Sequence, residues 1–150
     1  MTEQYPRGIC CHEAGHAIVA SWFNLQVEAI YVRFEEAKGW YGRTITASPR
    51  HLPIPDQIAN WAAGKAAEEF FGCPAPEESW LDDFGEISSL LNRSDISLEE
   101  LWPRIDDGKV VAAAILEKKH NEAFKLINRL AEHGYIDAVD FLILMNSKMP

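Results

Sequence analysis

At 150 residues the chain is long enough for one domain with a substantial core, and its 47% hydrophobic and 25% charged residues are typical of a globular protein. The formal net charge of −9 argues against a nucleic-acid partner, because proteins that bind nucleic acids present a basic surface. We expect no membrane span, since the longest apolar run is Val110 to Leu116, and no signal peptide in the polar stretch from Met1 to Arg7. The three cysteines, two of them adjacent, are typical of free thiols in a reducing compartment, so we expect a cytoplasmic protein.

The first predicted helix runs from about Pro6 to Phe23 and carries the pattern H-E-x-x-H at His12, Glu13 and His16. Residues four apart share a helix face, so the two imidazoles can bind one metal ion while Glu13 reaches a water molecule on it. The rest of this helix is apolar or small, which predicts burial, and a buried helix rarely keeps such side chains without a partner or a metal. The motif therefore predicts a zinc site with His12 and His16 as ligands and Glu13 as general base.

Two strands are predicted next, Val27 to Phe34 and Trp40 to Ala47, joined by a polar turn into a β-hairpin. One edge of this hairpin could hold an extended peptide by strand addition beside the metal. A second helix is predicted from about Asp56 to Phe71, and Gly72 ends it. Its many small residues would let it pack closely on the first helix, where Gly15 also indicates the approach of another backbone.

The rest of the chain is predicted to be helical. The predicted segments are a third helix near Asp83 to Asn92, a short helix after the capping box Ser97-x-x-Glu100 that Pro103 interrupts or bends, a long helix from about Asp106 to His133, and a last helix from Asp137 to Met145. Of the other histidines, His51 is expected to be solvated in a loop and His120 to be a core residue, so neither is expected to bind metal. The predicted fold class is mainly α (α+β). We expect one domain over residues 1–150, with a core at about residues 7–92 and a C-terminal helical part at about residues 97–146.

A catalytic zinc site needs a third protein ligand. The extended motif that places a histidine six residues after the second ligand is absent, since Trp22 stands there. Cys73 is disfavoured because it belongs to no C-x-x-C pair. The carboxylates after residue 60 remain as candidates: Glu68, Glu69, Asp82 and Asp83.

Three stretches of the sequence resemble the zinc peptidase domain of the FtsH-type ATP-dependent proteases, and together they cover about residues 7–92. His12-Glu13-Ala14-Gly15-His16-Ala17 is similar to the metal-binding helix of that family, and Val27 to Val32 with Gly39 to Thr44 is similar to its strand pair. Gly64 to Gly72 resembles its G-R-x-A-E-E-x-x-F-G stretch, with lysine for arginine and one residue fewer. The resemblance implies a helical, zincin-like domain with a small sheet.

The resemblance also implies a third ligand, an aspartate in a D-[LI]-x-x-A motif that opens the next helix. Asp83 to Ile87 takes that place, with Ile87 where the family has alanine, so Asp83 is the implied ligand. The adjacent Asp82 leaves a register shifted by one residue open. Two interpretations of Glu68 also stay open, a carboxylate that orients a ligand or a surface charge at the end of a helix.

The family joins its peptidase domain to a membrane anchor and an AAA+ ATPase, whereas this sequence contains no phosphate loop of the form G-x-x-x-x-G-K-[ST]. We therefore expect an ATP-independent zinc metallopeptidase, a hydrolase that acts on peptides or unfolded proteins. Folded substrates would need a separate ATPase or a regulatory partner. The alternative is a non-catalytic, metal-containing module that binds peptides or proteins, and a third hypothesis is a metal-free remnant.

Overall fold

The computed structural model of the chain describes residues 4–146, which form six α-helices, one 3-10 turn and a three-stranded sheet. The elements are α1 (Arg7–Trp22), β1 (Val27–Glu35), β2 (Gly39–Thr46), α2 (Ile54–Phe71), α3 (Glu78–Arg93), the 3-10 turn (Leu98–Glu100), α4 (Leu101–Lys118), α5 (His120–His133), β3 (Tyr135–Asp137) and α6 (Ala138–Asn146). The predicted fold class, mainly helical with a small sheet, is confirmed at this level. Among the described residues no helix is both long enough and apolar enough to span a bilayer.

Helix α1 lies at the centre of the molecule and is buried on almost every side. Helix α2 packs along it, α5 covers another side, and β1 and β2 cover a third. The contact with α2 is close, because a Cβ atom at Gly15 would overlap Ala67 and lie 2.7 Å from the carbonyl oxygen of Ala63. The approach of a second backbone predicted at Gly15 is therefore confirmed, and it sets the histidines of α1 against α2.

The C-terminal helices share the core of α1. Leu126 and Leu130 of α5 are fully buried in the same apolar cluster as Ile9 and Ile18 of α1. The C-terminal part of the described chain therefore helps to hold the central helix α1 in place.

The sheet has the strand order β2-β1-β3, and both strand pairs are antiparallel. Ile30 in the middle of β1 pairs with Thr44 of β2 on one side and with Ile136 of β3 on the other. The predicted hairpin is confirmed, whereas β3 is not predicted, since three residues are too few to show an alternating pattern. Strand β2 is left at the edge of the sheet and lies beside α1.

The prediction of one long helix from Asp106 to His133 is wrong. The chain leaves helical geometry at Lys119, where α4 ends and α5 begins. The physical reason is a change of packing partner, because α4 packs mainly on α2 and α5 mainly on α1. His120 is consequently exposed at the start of α5, and its Nδ1 lies 2.9 Å from the carbonyl oxygen of Glu117. The prediction that His120 is a core residue is therefore also wrong.

Two details of the predicted helices need correction, the start of the third helix and the effect of Pro103. Helix α3 begins at Glu78, five residues before the predicted start at Asp83, so Asp83 lies inside the helix. Pro103 falls in the first turn of α4 and does not interrupt it, because the N–H groups of a first turn have no partner within the helix.

Candidate metal centre

Three side chains from two helices converge on one point. His12 and His16 lie one turn apart on α1, with their Nε2 atoms 3.2 Å apart. Asp83 of α3 places Oδ2 2.9 Å from Nε2 of His12 and 3.0 Å from Nε2 of His16. Ligand atoms in a tetrahedral zinc site with bonds of about 2.0–2.1 Å lie roughly 3.3 Å from one another. The three side chains have the chemistry and the spacing to hold a metal ion.

The packing of α3 selects Asp83 rather than its neighbour. Asp83 shares the buried face of this helix with Ile87, Leu90 and Leu91, whereas Asp82 points away from that face and is exposed. Residues four apart lie on one face, and adjacent residues are about 100° apart. The structure therefore brings Asp83, and not Asp82, to the two histidines.

Each histidine is held in place through its other ring nitrogen. Nδ1 of His12 lies 2.6 Å from Oε2 of Glu68, and Nδ1 of His16 lies 3.2 Å from the carbonyl oxygen of Asn60. When Nδ1 donates its proton in these bonds, the lone pair of each Nε2 is directed at the common point. Both imidazoles are thus oriented as metal ligands before any ion binds.

Glu68 is buried, so the interpretation of this residue as a surface charge is wrong. Its second oxygen, Oε1, accepts a hydrogen bond of 2.8 Å from the backbone N–H of Ala75 and lies 3.7 Å from Nζ of Lys65. These contacts hold the carboxylate against His12, on the side of the ring away from Asp83. Glu69, also a candidate from the sequence, is exposed and forms an ion pair with Lys109.

Helix α2 supports the histidines with a stripe of residues four apart: Asn60, Gly64 and Glu68. The stripe supplies a carbonyl oxygen to His16, space for the ring of His12, and the carboxylate that binds Nδ1 of His12. A Cβ atom at Gly64 would overlap the imidazole of His12, so only glycine leaves room for the ring here. No role is predicted from the sequence for Asn60 or Gly64, although their spacing from Glu68 on one helix face is a signal that could have identified them.

Glu13 faces the same side of α1 and is fixed by the edge strand. Oγ1 of Thr44 lies 2.8 Å from Oε1 of Glu13 and 2.9 Å from its carbonyl oxygen, so the hydroxyl can donate to either. A Cβ atom at Gly42 would lie 2.6 Å from Cγ of Glu13, so β2 passes directly over this side chain. Thr44 is a third residue of the site with no role predicted from the sequence, because nothing local in the sequence relates β2 to α1.

The centre buries three carboxylates, those of Glu13, Glu68 and Asp83. Burial alone would lower the pKa of His12, but hydrogen bonds to Asp83 and Glu68 outweigh burial and raise that pKa to about 10. Burial likewise opposes the charge on His16, yet the nearby Asp83 raises the pKa of His16. When no metal is bound, the proton on His12 therefore supplies positive charge beside the buried carboxylates.

The pKa values of the three buried carboxylates shift in different directions. The neighbouring histidines overcome the effect of burial and lower the pKa of Asp83 and that of Glu68, so both stay ionised. Burial raises the pKa of Glu13, and this effect outweighs the charges of His12 and His16, which lower it. Glu13 is therefore the carboxylate of the centre that accepts a proton most readily.

The centre opens into a cleft of about 900 Å³. Its walls are β2, the loop at residues 47–50, α2 and α3, while His12, Glu13, His16 and Asp83 form part of its lining. The centre is most open at His16 and Asp83, whose side chains are 12% and 10% exposed, whereas the side chain of His12 is 1% exposed.

No family model matches the chain, and no curated protein matches it significantly. The resemblance to the FtsH-type peptidase domain stays a prediction based on the three stretches of sequence.

Proposed function

We propose that this chain is a zinc-dependent metallopeptidase with a zincin-like site, which hydrolyses peptide bonds in peptides and unfolded proteins. The observation that carries the proposal is the convergence of His12, His16 and Asp83 at a cleft that Glu13 also lines. Structural zinc sites are closed by four protein ligands, whereas catalytic sites have three and keep a position open. Two imidazoles and one carboxylate belong to the second kind.

The donor set favours zinc over magnesium and calcium. Imidazole nitrogen suits zinc, while magnesium and calcium prefer sites made of oxygen ligands. When bound, a zinc ion supplies a Lewis acid that polarises a carbonyl group and a water molecule whose pKa falls to roughly 7. His12, His16 and Asp83 would hold the ion.

Glu13 would act as general base and then as general acid. Thr44 occupies Oε1 of Glu13, which leaves Oε2 to take a proton from the attacking water as its oxygen bonds to the peptide carbonyl carbon. The carbon–nitrogen bond then breaks, and Glu13 returns the proton to the leaving nitrogen. The raised pKa of Glu13 supports this role, because a more basic carboxylate accepts the proton more readily at neutral pH.

The edge strand would align the substrate. Among the described residues, strand β2 has one neighbour in the sheet, and it forms a wall of the cleft beside Glu13. An extended peptide that pairs with this edge would run across the centre, with its side chains alternating toward and away from the cleft. Such pairing requires an unfolded segment, which supports unfolded proteins and peptides as the substrate class.

The test is a cleavage assay on a fluorescently quenched, unfolded protein substrate. The zinc-loaded wild type should release fluorescence, a chelator should stop the reaction, and added zinc should restore it. Glu13→Gln should keep the metal but lower the rate by about 10²–10⁴-fold, because the general base is lost while the ligands remain.

Two outcomes would contradict the proposal. An unchanged rate in Glu13→Gln would remove Glu13 from the mechanism. Zinc-loaded wild type that binds the substrate and never cleaves it would instead be the non-catalytic binding module.

A further inference from the structure

The cleft differs in charge from the molecule as a whole. The chain carries a net charge of −9, yet four cationic side chains line the cleft: Lys38, Arg43, Arg50 and Arg93. Outside the metal centre, the described residues that line it include two acidic side chains, Asp82 and Glu86. Four cations against two carboxylates give this part of an acidic molecule a positive balance, which attracts negatively charged ligands.

Arg50 is held at the cleft by a buried amide. Nε2 of Gln57 donates hydrogen bonds to the carbonyl oxygens of Arg50, at 3.3 Å, and Leu52, at 2.9 Å, and Gln57 is buried in α2. The loop that carries Arg50 is therefore tied to the same helix that supports the histidines. Within the described part of the chain, neither Arg50 nor Arg93 has a carboxylate within ion-pair distance, so both guanidinium groups are available to a ligand.

A second, independent feature lies deeper in the cleft. Asn60 lines it and is only 6% exposed, and Oδ1 of this residue has no hydrogen-bond partner among the described residues. A buried polar atom without a partner is costly, so it indicates a group that the ligand satisfies. An oxygen acceptor requires a donor, and the donor that an extended peptide offers at every residue is its backbone N–H.

On the basis of the proposed function, we propose that the cleft selects peptide segments with acidic side chains near the bond to be cleaved. Arg50 and Arg93 would bind the carboxylates, and Oδ1 of Asn60 would accept a backbone N–H. The charge contacts would set the preference, while the contact with Asn60 would be common to all peptides. Acidic unfolded segments are then the substrate class.

The experiment uses the zinc-loaded full chain with Glu13→Gln, so that no peptide is consumed. Three fluorescent peptides share one apolar centre and carry glutamate, glutamine or lysine on both sides, and binding is followed by anisotropy. The glutamate peptide should bind most tightly and the lysine peptide least, with up to about fivefold in Kd for each exposed ion pair. The difference should shrink as salt is added.

Arginine variants on the same background assign the preference to the cleft. Arg50→Gln and Arg93→Gln should each weaken binding of the glutamate peptide and leave the glutamine peptide unchanged. Arg104→Gln is the matched control, because Arg104 pairs with Glu100 outside the cleft and the variant changes the net charge equally. An equal loss of affinity in Arg104→Gln would mean that only the overall charge matters, and it would overturn the assignment.

Asn60 is tested by two readouts together. Asn60→Ala should weaken all three peptides by a similar factor, about 2–10-fold, without lowering the melting temperature, since Oδ1 has no partner to lose. Gln57→Ala is the comparison, because Gln57 is equally buried but makes two hydrogen bonds, and this variant should melt at a lower temperature. A lower melting temperature in Asn60→Ala with unchanged affinities would make Asn60 structural and overturn its role.

The outcomes separate this inference from the proposed function. If all three peptides bind equally, the acidic preference is wrong and the peptidase remains. If none of them binds to the zinc-loaded chain, both the preference and the peptidase are contradicted.

Discussion

The two histidines of the centre have different partners at Nδ1, and this difference matters for how strongly each would bind a metal. His12 faces the carboxylate of Glu68 at 2.6 Å, whereas His16 faces the carbonyl oxygen of Asn60 at 3.2 Å. A carboxylate partner makes the imidazole a more basic ligand than a carbonyl does. We therefore expect His12, which has Glu68 as its partner, to be the stronger metal ligand of the two histidines.

Glu68→Gln should lower zinc affinity by about 10–100-fold, because the carboxylate that orients and polarises His12 is lost while the ligands remain. The measurement is competition for zinc with a chromophoric chelator. Glu69→Gln is the matched control, since it makes the same change in charge at the next residue, which is exposed. Equal affinities in the two variants would show that Glu68 has no effect on the ligand.

Zinc affinity should rise with pH. The pKa of His12 in the metal-free chain is about 10, so this histidine is protonated at neutral pH, and a metal ligand must be neutral. Binding therefore releases a proton, and each proton released should tighten the apparent Kd about tenfold per pH unit. The pKa of Asp83 is lowered, so it stays ionised over this range and releases none.

Titrations between about pH 6 and 8, in buffers with different enthalpies of ionisation, would count the protons released. A Kd that does not change over this range would contradict the protonated state of His12.

At the scale of elements, the site depends on how closely α1 and α2 approach. Gly15 of α1 lies against Ala63 and Ala67 of α2, and Gly64 of α2 lies against the imidazole of His12. Both contacts require the absence of a side chain beyond Cα. The small residues of α2 are therefore part of the site as well as of the core.

Gly64→Ala should displace the ring of His12 and lower zinc affinity, and it should destabilise the fold by about 1–3 kcal/mol through overpacking. Gly85→Ala in α3 is the matched control, because a Cβ atom there meets nothing within 4 Å. That variant should keep the metal and gain about 0.5–1 kcal/mol of stability. Zinc binding and chemical denaturation measure the two effects, and full affinity in Gly64→Ala would contradict the packing argument.

The sequence predicted α1, the hairpin and α2 better than α4, α5 and β3. Helix α1, the hairpin and α2 have local signals, such as a run of apolar residues or a terminal glycine. The break at Lys119 has none, since it arises because α4 and α5 pack against different helices. Strand β3 forms only because α5 returns the chain to β1, which three residues cannot indicate.

The metal centre also combines residues that have local sequence signals with residues that only tertiary packing brings together. The motif gives His12, Glu13 and His16, and the family resemblance implies Asp83. The packing of α3 in the structure is what distinguishes Asp83 from Asp82. Contacts made across the fold could not be predicted, because Thr44 meets Glu13 only after the hairpin folds over α1. The local pattern thus supplies the chemical groups, while the tertiary structure supplies their orientation.

At the scale of the whole molecule, the proposed metal would join parts of the chain that are distant in sequence. His12 and His16 come from α1, Asp83 comes from α3, and α2 lies between them in sequence and supports both histidines. Helix α5 also packs against α1. The centre therefore exists only in the folded chain, and its occupancy reports on the whole arrangement.

The measurement that tests the central claim most directly is elemental analysis of the purified protein after reconstitution with zinc and removal of free metal. We predict about one zinc ion per chain in the wild type, in Glu13→Gln and in Asp82→Ala, and none in Asp83→Ala, because a site with three protein ligands does not survive the loss of one. A wild type without zinc, or an Asp83→Ala variant that keeps it, would contradict the account.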